Sequence, residues 1–228
     1  MPDTVTYNLT WDGTGQRKYE NGVNHGVLYP QVNGAYPLGV AWNGLTAVTE
    51  SPDGAEPTDL WADNIKYASM RSAETFGGTI EAYTYPDEWM ECDGSAELSD
   101  GVVIGQQARK PFGLCYRTEI GTDANPEAGY KLHLVYGATA SPSERAYETI
   151  NDSPDAITFS WEFETTPTNV TDHKATALLT IDSTKLTAGK MTAIESVLYG
   201  TAASGSTEAV APRLPLPDEV ASIIASAT

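Results

Sequence analysis

The sequence predicts a mainly β fold with one flanking α-helix (α+β). Three observations predict it. Segments of alternating apolar and polar residues recur along the chain, and a repeat of two residues places one set on a packed face and the other toward water. Only one long segment combines helical spacing with signals at both ends. Gly (20 residues) and Pro (14) are spread throughout and favour many turns between short elements, while Thr is abundant and Tyr occurs 12 times, a composition suited to strands.

In chain order, the first strand is expected over Thr79 to Tyr85, with Ile80 and Ala82 opposite Glu81 and Tyr83. Next, Leu114, Tyr116 and Thr118 alternate with Cys115, Arg117 and Glu119, and Lys131 to Tyr136 places Leu132, Leu134 and Tyr136 on one side. The clearest strand is Ala156 to Glu164, where Ile157, Phe159, Trp161 and Phe163 alternate with Thr158, Ser160, Glu162 and Glu164. Ala177, Leu179 and Ile181 then alternate with Thr176, Thr180 and Asp182. The helix follows: Thr187 as N-cap, Met191, Ile194 and Leu198 on one face, and Gly200 as the stop. Leu186 ahead of the cap can staple onto Met191. Shorter helical turns are expected at Asp87 to Glu91 and from Pro217 to Ala225.

Between these elements, Tyr29 to Asn64 carries Tyr36, Trp42, Leu45, Leu60 and Trp61 among many Gly and Pro turn residues and reads as one long irregular loop. Such a loop is unusual in a compact domain and is more often functional. Its aromatics argue for order, which requires a surface to pack on, either a neighbouring subunit or its own domain. The small residues Thr201 to Thr207 read as a linker. The organisation is therefore one domain over 1–200, with a long loop at about 29–64, followed by a linker and C-terminal tail over 201–228.

The formal net charge is −18, from 31 acidic and 13 basic residues. The excess is local: thirteen acids face two bases, Lys66 and Arg71, between Glu50 and Asp100. Such a surface disfavours binding nucleic acid by phosphate neutralisation and disfavours an anionic membrane. No apolar run approaches the ~20 residues of a membrane helix, and no signal peptide is expected. Cys92 and Cys115 make no metal spacing, and two reduced, packed thiols are the preferred reading over a disulfide.

Chemistry is hard to find. Asp87, Glu88 and Glu91 are paired carboxylates of the kind a glycosidase uses, but 31 acids make such proximity common by chance. His25, His133 and His173 have no ligand spacing, and His133 falls on the polar side of its strand, as a surface residue would. No GxSxG context and no phosphate-cradling glycine loop is present. The chain is therefore read as no enzyme, with no catalytic residue, metal or cofactor.

Several blocks resemble the major tail (tail tube) proteins of long-tailed, non-contractile bacteriophages, the siphophages. They are Gly26-Val27-Leu28-Tyr29-Pro30, Gly39-Val40-Ala41-Trp42-Asn43-Gly44-Leu45, Ala62-Asp63-Asn64-Ile65-Lys66-Tyr67 and Thr79-Ile80-Glu81-Ala82-Tyr83-Thr84-Tyr85-Pro86-Asp87-Glu88. Further along come Gly105-Gln106-Gln107, Phe112-Gly113-Leu114-Cys115-Tyr116-Arg117-Thr118, Tyr130-Lys131-Leu132-His133-Leu134-Val135-Tyr136-Gly137, Ile157-Thr158-Phe159-Ser160-Trp161-Glu162 and Leu214-Pro215-Leu216-Pro217-Asp218-Glu219-Val220. The likeness runs from about Gly26 to Val220. Trp61 and Trp89 stand where Tyr or Phe is expected, and Thr201 to Ala211 is longer or more variable than expected.

The resemblance implies a β-sandwich-like tail tube fold with long loops, six copies per ring, and rings stacked into a hollow tube through which genome DNA passes without specific binding. It implies self-association, with the tape measure, tail terminator and distal tail proteins as further partners. It places the protein in the virion tail, and in the host cytoplasm during assembly. On this reading Tyr36, Trp42, Asn43, Leu45, Leu60 and Trp61 form a subunit or ring interface, and Trp42→Ala leaves a folded monomer that fails to polymerise. Glu81, Glu162 and Glu164 either face the lumen, where they repel phosphates, or face outer solvent. The alternative function is a carbohydrate- or host-surface-binding tail module.

Overall fold

The computed structural model describes residues 9, 11–54, 56–147, 149–150, 156–205 and 208–227. The strands, in chain order, are β1 (Lys18–Pro30), β2 (Val40–Trp42), β3 (Leu45–Glu50), β4 (Asp53–Gly54), β5 (Pro57–Ala62), β6 (Ile65–Arg71), β7 (Glu74–Thr75), β8 (Gly77–Ala82), β9 (Ala96–Ser99), β10 (Val102–Ile104), β11 (Phe112–Thr122), β12 (Gly129–Ala140), β13 (Phe159–Thr165) and β14 (Leu178–Asp182). The helices are α1 (Met90–Asp93), α2 (Ala188–Leu198) and α3 (Pro217–Ser226), with 3-10 turns ahead of α1 and α2.

The main sheet is antiparallel, in the order β2-β1-β11-β12-β13-β8-β3, with β14 paired to β12. β2 sits at one end of this path and β3 at the other, yet only Asn43 and Gly44 separate them in sequence. The two ends therefore meet at a corner, and the sheet rolls on itself. Gly44 makes the corner possible with a φ of 74°, a left-handed conformation that a residue with a Cβ resists.

Rolling creates two cores from the two faces of the same strands. Inside lie Leu28, Trp42, Ile80, Trp89, Phe112, Leu114, Tyr116, Val135, Trp161 and Phe163. Outside, Val27, Tyr29, Cys115, Leu132, Leu134, Tyr136 and Ile181 meet Met191, Ile194 and Leu198 of α2 and Val220 of α3. Because both faces are covered, the first five residues of β11 are all buried and carry no polar set. Cys92 and Cys115 are free and buried, and burial pushes both thiols up to about 12.

β12 changes role midway. Its residues 131–135 pair with β14, whereas 138–140 pair with β13. Gly137 lies at the switch with a φ of 61°, and the extra residue turns Ala138 and Ala140 toward the inner core. A Cβ at 137 would collide with the Thr166 carbonyl oxygen. Gly137→Ala is therefore expected to cost more than the ~1–2 kcal/mol of left-handed backbone alone, read as a lower urea midpoint.

The helical signals hold. Thr187 accepts a hydrogen bond from Lys190 N (3.4 Å), and Met191, Ile194 and Leu198 are buried. Two helices flank the sheet and not one: α3, with Pro217 in its first turn and acidic Asp218 and Glu219 there, packs on α2. Described parts of the expected linker and tail, 201–228, pack on the rest of the chain. Thr201 bridges to Val210, Leu214 bridges to Tyr36, and Leu214 and Val220 belong to the outer core. Residues 206, 207 and 228 lie outside the described set.

The largest departure is at 29–64. This tract is not one irregular loop. It holds β2 and β3 of the main sheet, then β4 and β5, and only the part after Glu50 leaves the body. The strands are short and broken by turns, which hides their alternation.

Candidate functional site

Beyond Glu50 the chain projects as an arm. β4 and β7 form a two-residue stalk, and β5 and β6 form a hairpin closed by Asp63 and Asn64, both at positive φ (52° and 63°) as a two-residue turn of type I′ requires. Thr58 pairs with Met70, Leu60 with Ala68, and Ala62 with Ile65, so one face is largely apolar. The other carries Asp59, Trp61, Lys66 and Ser69, and Asp59 ion-pairs with Lys66 at 2.7 Å. Among the described residues these side chains stay largely uncovered: Leu60 is 41% exposed, Met70 59%, Ile65 62%, Trp61 69% and Tyr67 74%.

A second feature is an acidic sheet face. Trp161 and Phe163 of β13 and Ile80 and Ala82 of β8 point into the inner core. Their alternates therefore share the opposite face, where Ser160 pairs with Glu81 and Glu162 with Thr79. Glu162 and Glu164 are exposed and Glu81 is half-buried. All three acids singled out from the sequence thus lie on one face.

The root of the arm is held by a polar cluster that the sequence did not reveal. Glu50, the last residue of β3, accepts a hydrogen bond from the Tyr116 hydroxyl (2.5 Å) and lies 3.3 Å from His133 Nδ1, which is not aligned for a hydrogen bond of its own. The rings of Tyr116 and His133 stack at 4.7 Å, and His133 Nε2 lies 3.0 Å from Thr118 Oγ1. His133, expected at the surface, has a side chain only 12% exposed, because the rolled sheet turns its polar side inward. His133, then Tyr116, hold the Glu50 carboxyl below its ordinary 4.5 despite burial, which acts the other way.

A depressed carboxylate stabilises the fold above its ordinary range, and that contribution disappears as pH falls through the lowered folded value. Glu50→Gln is accordingly expected to have a lower urea midpoint than the parent at neutral pH, with the difference shrinking on acidification.

The expected interface residues divide. Leu60 and Trp61 are on the arm. Asn43 is exposed at the corner and Leu45 is half-buried beside it. Tyr36 and Trp42, by contrast, are 2% and 3% exposed and pack in the chain's own cores. The Tyr36 hydroxyl accepts from Gly137 N (2.8 Å) and from Gln31 Nε2 (3.0 Å), while Trp42 Nε1 donates to Thr84 O at 2.9 Å. Ile65, Tyr67 and Met70 were missed, although the Asp-Asn turn between two β-prone runs is a hairpin signal. Of the acids considered for catalysis, Glu91 ion-pairs with Lys110 at 2.8 Å. Among the described residues no group of three or more His, Cys, Asp or Glu could hold a metal, and no helix is long and apolar enough to cross a membrane.

No family model matches this chain, and no curated protein matches it.

Proposed function

We propose that this chain is the structural subunit of a bacteriophage tail tube, assembling as hexameric rings that stack into a conduit for genome DNA. The observation that carries the self-assembly is the arm. A two-stranded hairpin alone is marginal in water, and contiguous exposed apolar surface marks an interaction site. An ordered hairpin with Leu60, Ile65 and Met70 on one open face needs a partner, and a second copy supplies it. A contact between unlike surfaces repeats without closing and so builds a filament.

The acidic face supports the conduit. With Glu81, Glu162 and Glu164 toward the bore, the wall repels phosphates, so DNA slides without being held. The block resemblance to siphophage tail tube proteins supplies the six-fold ring. A carbohydrate- or host-surface-binding module draws support from exposed Trp61 and Tyr67, which could stack on sugar rings.

Electron microscopy of the purified protein over a range of concentrations tests the proposal. Six-fold rings or hollow tubes are expected. Dispersed monomers at every concentration, with binding on a glycan array, would instead establish the module.

A further inference from the structure

A cleft of about 500 Å³ opens on the body of the fold, with no residue of the arm in its lining. The end of α1 and its cap supply Asp93 and Gly94, the stretch between β10 and β11 supplies Arg109, the stretch after β12 supplies Ser143 and Arg145, and β13 supplies Trp161. Backbone hydrogen bonds fix these walls: Gln107 N donates to Gly94 O (2.9 Å), Lys110 N to Glu91 O (2.8 Å) and Ser141 N to Glu162 O (2.8 Å). Gly94, at a φ of 84°, leaves room for the Arg109 side chain, since a Cβ there would lie 3.1 Å from Arg109 Cζ.

Three buried polar atoms of this lining lack a hydrogen-bond partner: Asp93 Oδ1, Arg109 Nε and Trp161 Nε1. A buried polar group without a partner is destabilising, so three of them around one cleft point to a bound molecule. The Asp93 side chain is 5% exposed, and its other oxygen pairs with Arg145. Arg109 is half-buried and has no carboxylate partner among the described residues, in a chain with 31 acids. Arg117 and Arg213, the other half-buried arginines among them, each hold a glutamate. The charged residues of the lining are Asp93, Arg109 and Arg145, an excess of base in a chain with 13 bases to 31 acids.

The chemistry of these groups narrows what fits. A guanidinium fork matches a carboxylate. Asp93 Oδ1 only accepts and so needs a donor, while Trp161 Nε1 only donates and so needs an oxygen. Bridging water would serve Asp93 and Trp161 but brings no charge to Arg109. A hydroxyl beside a carboxylate meets all three needs. A uronic-acid sugar presents that pair on adjacent carbons, and a cleft of this size holds a small organic ligand.

We propose that this cleft binds a small hydroxylated carboxylate of the uronic-acid class. Its carboxylate lies between Arg109 and Arg145, its neighbouring hydroxyl donates to Asp93, and a further oxygen accepts from Trp161. The three unpartnered atoms are shielded from water, so the ligand enters by parting Arg145, the exposed member of its ion pair, from Asp93. The site stands whether or not the chain builds tubes.

Isothermal titration of the full chain with D-glucuronate and with D-galacturonate tests the assignment. A Kd of about 1 mM or tighter is expected for at least one of them. Glucose, galactose and acetate, each lacking half of the required pair, are expected to bind ~tenfold or more weakly. Arg109 makes no ion pair or hydrogen bond of its own among the described residues, so Arg109→Ala is expected to keep the parent's urea midpoint and to bind the uronate ~tenfold or more weakly. Arg109→Lys keeps the charge but loses the fork, and its affinity is expected to fall between the two. Any one of three results overturns the assignment: no binding of either uronate, equal binding of a neutral sugar or acetate, or parent-like binding by Arg109→Ala. Should Arg109→Ala lower the urea midpoint, Arg109→Lys becomes the deciding variant, and undiminished uronate binding by it overturns the assignment as well.

Discussion

Replacing Trp42 by alanine is expected to lower stability by about 3–5 kcal/mol and the thermal midpoint by roughly 10 °C, ahead of any effect on assembly. Trp42 lies at the end of β2, beside the corner where the sheet closes. Its ring is 4.7 Å from Trp89 and 5.7 Å from Trp161, and Trp89 in turn meets Phe112 at 4.9 Å. Truncation would open a cavity in the middle of this cluster and leave the Thr84 carbonyl without the indole N–H that it accepts from. Thermal and urea unfolding of the variant check the expectation. A variant with the parent's midpoint that nevertheless failed to assemble would return Trp42 to the interface role expected from the sequence.

Ile65→Asp is expected to abolish self-assembly while changing folding stability by no more than about 0.5 kcal/mol, since it alters an exposed position away from the core. Ile65 sits beside the turn, on the apolar face with Leu60 and Met70, and all three are exposed among the described residues. An aspartate there would require a buried, unpaired carboxylate in any contact formed through it, a cost of several kcal/mol. The variant also adds a negative charge to a chain already at −18. Ser69→Asp adds the same charge on the opposite face of the same hairpin and controls for it. Sedimentation and microscopy should find assemblies with Ser69→Asp and none with Ile65→Asp. If Ile65→Asp assembles as the parent does, the arm does not join subunits through this face.

Legibility followed the range of the interactions. The strand ending at Glu164 and the helix from Thr187 were readable because alternation and capping are written within a few neighbouring residues. The tract 29–64 was not, because β2 is three residues long and acquires its partners from β1, far enough away that no local pattern announces the pairing. His133 was misplaced for a related reason: its side of β12 is polar in sequence, but closure of the sheet turns that side inward, where Glu50 and Tyr116 meet it. The arm was half legible, with Leu60 and Trp61 singled out and Ile65, Tyr67 and Met70 passed over.

By itself, the sequence determined that the protein is mainly β, where its best strands and α2 lie, and that it carries a large local excess of acid. Only the tertiary structure decided that Tyr36 and Trp42 are core, that Leu60 and Trp61 stand free, that α3 and Leu214 return to the body, and that Glu81, Glu162 and Glu164 share a face. The reason is physical. Alternation states that a strand has two faces, but whether a face is dry depends on which other segments come to lie against it, and that is set by closure of the sheet across the whole chain.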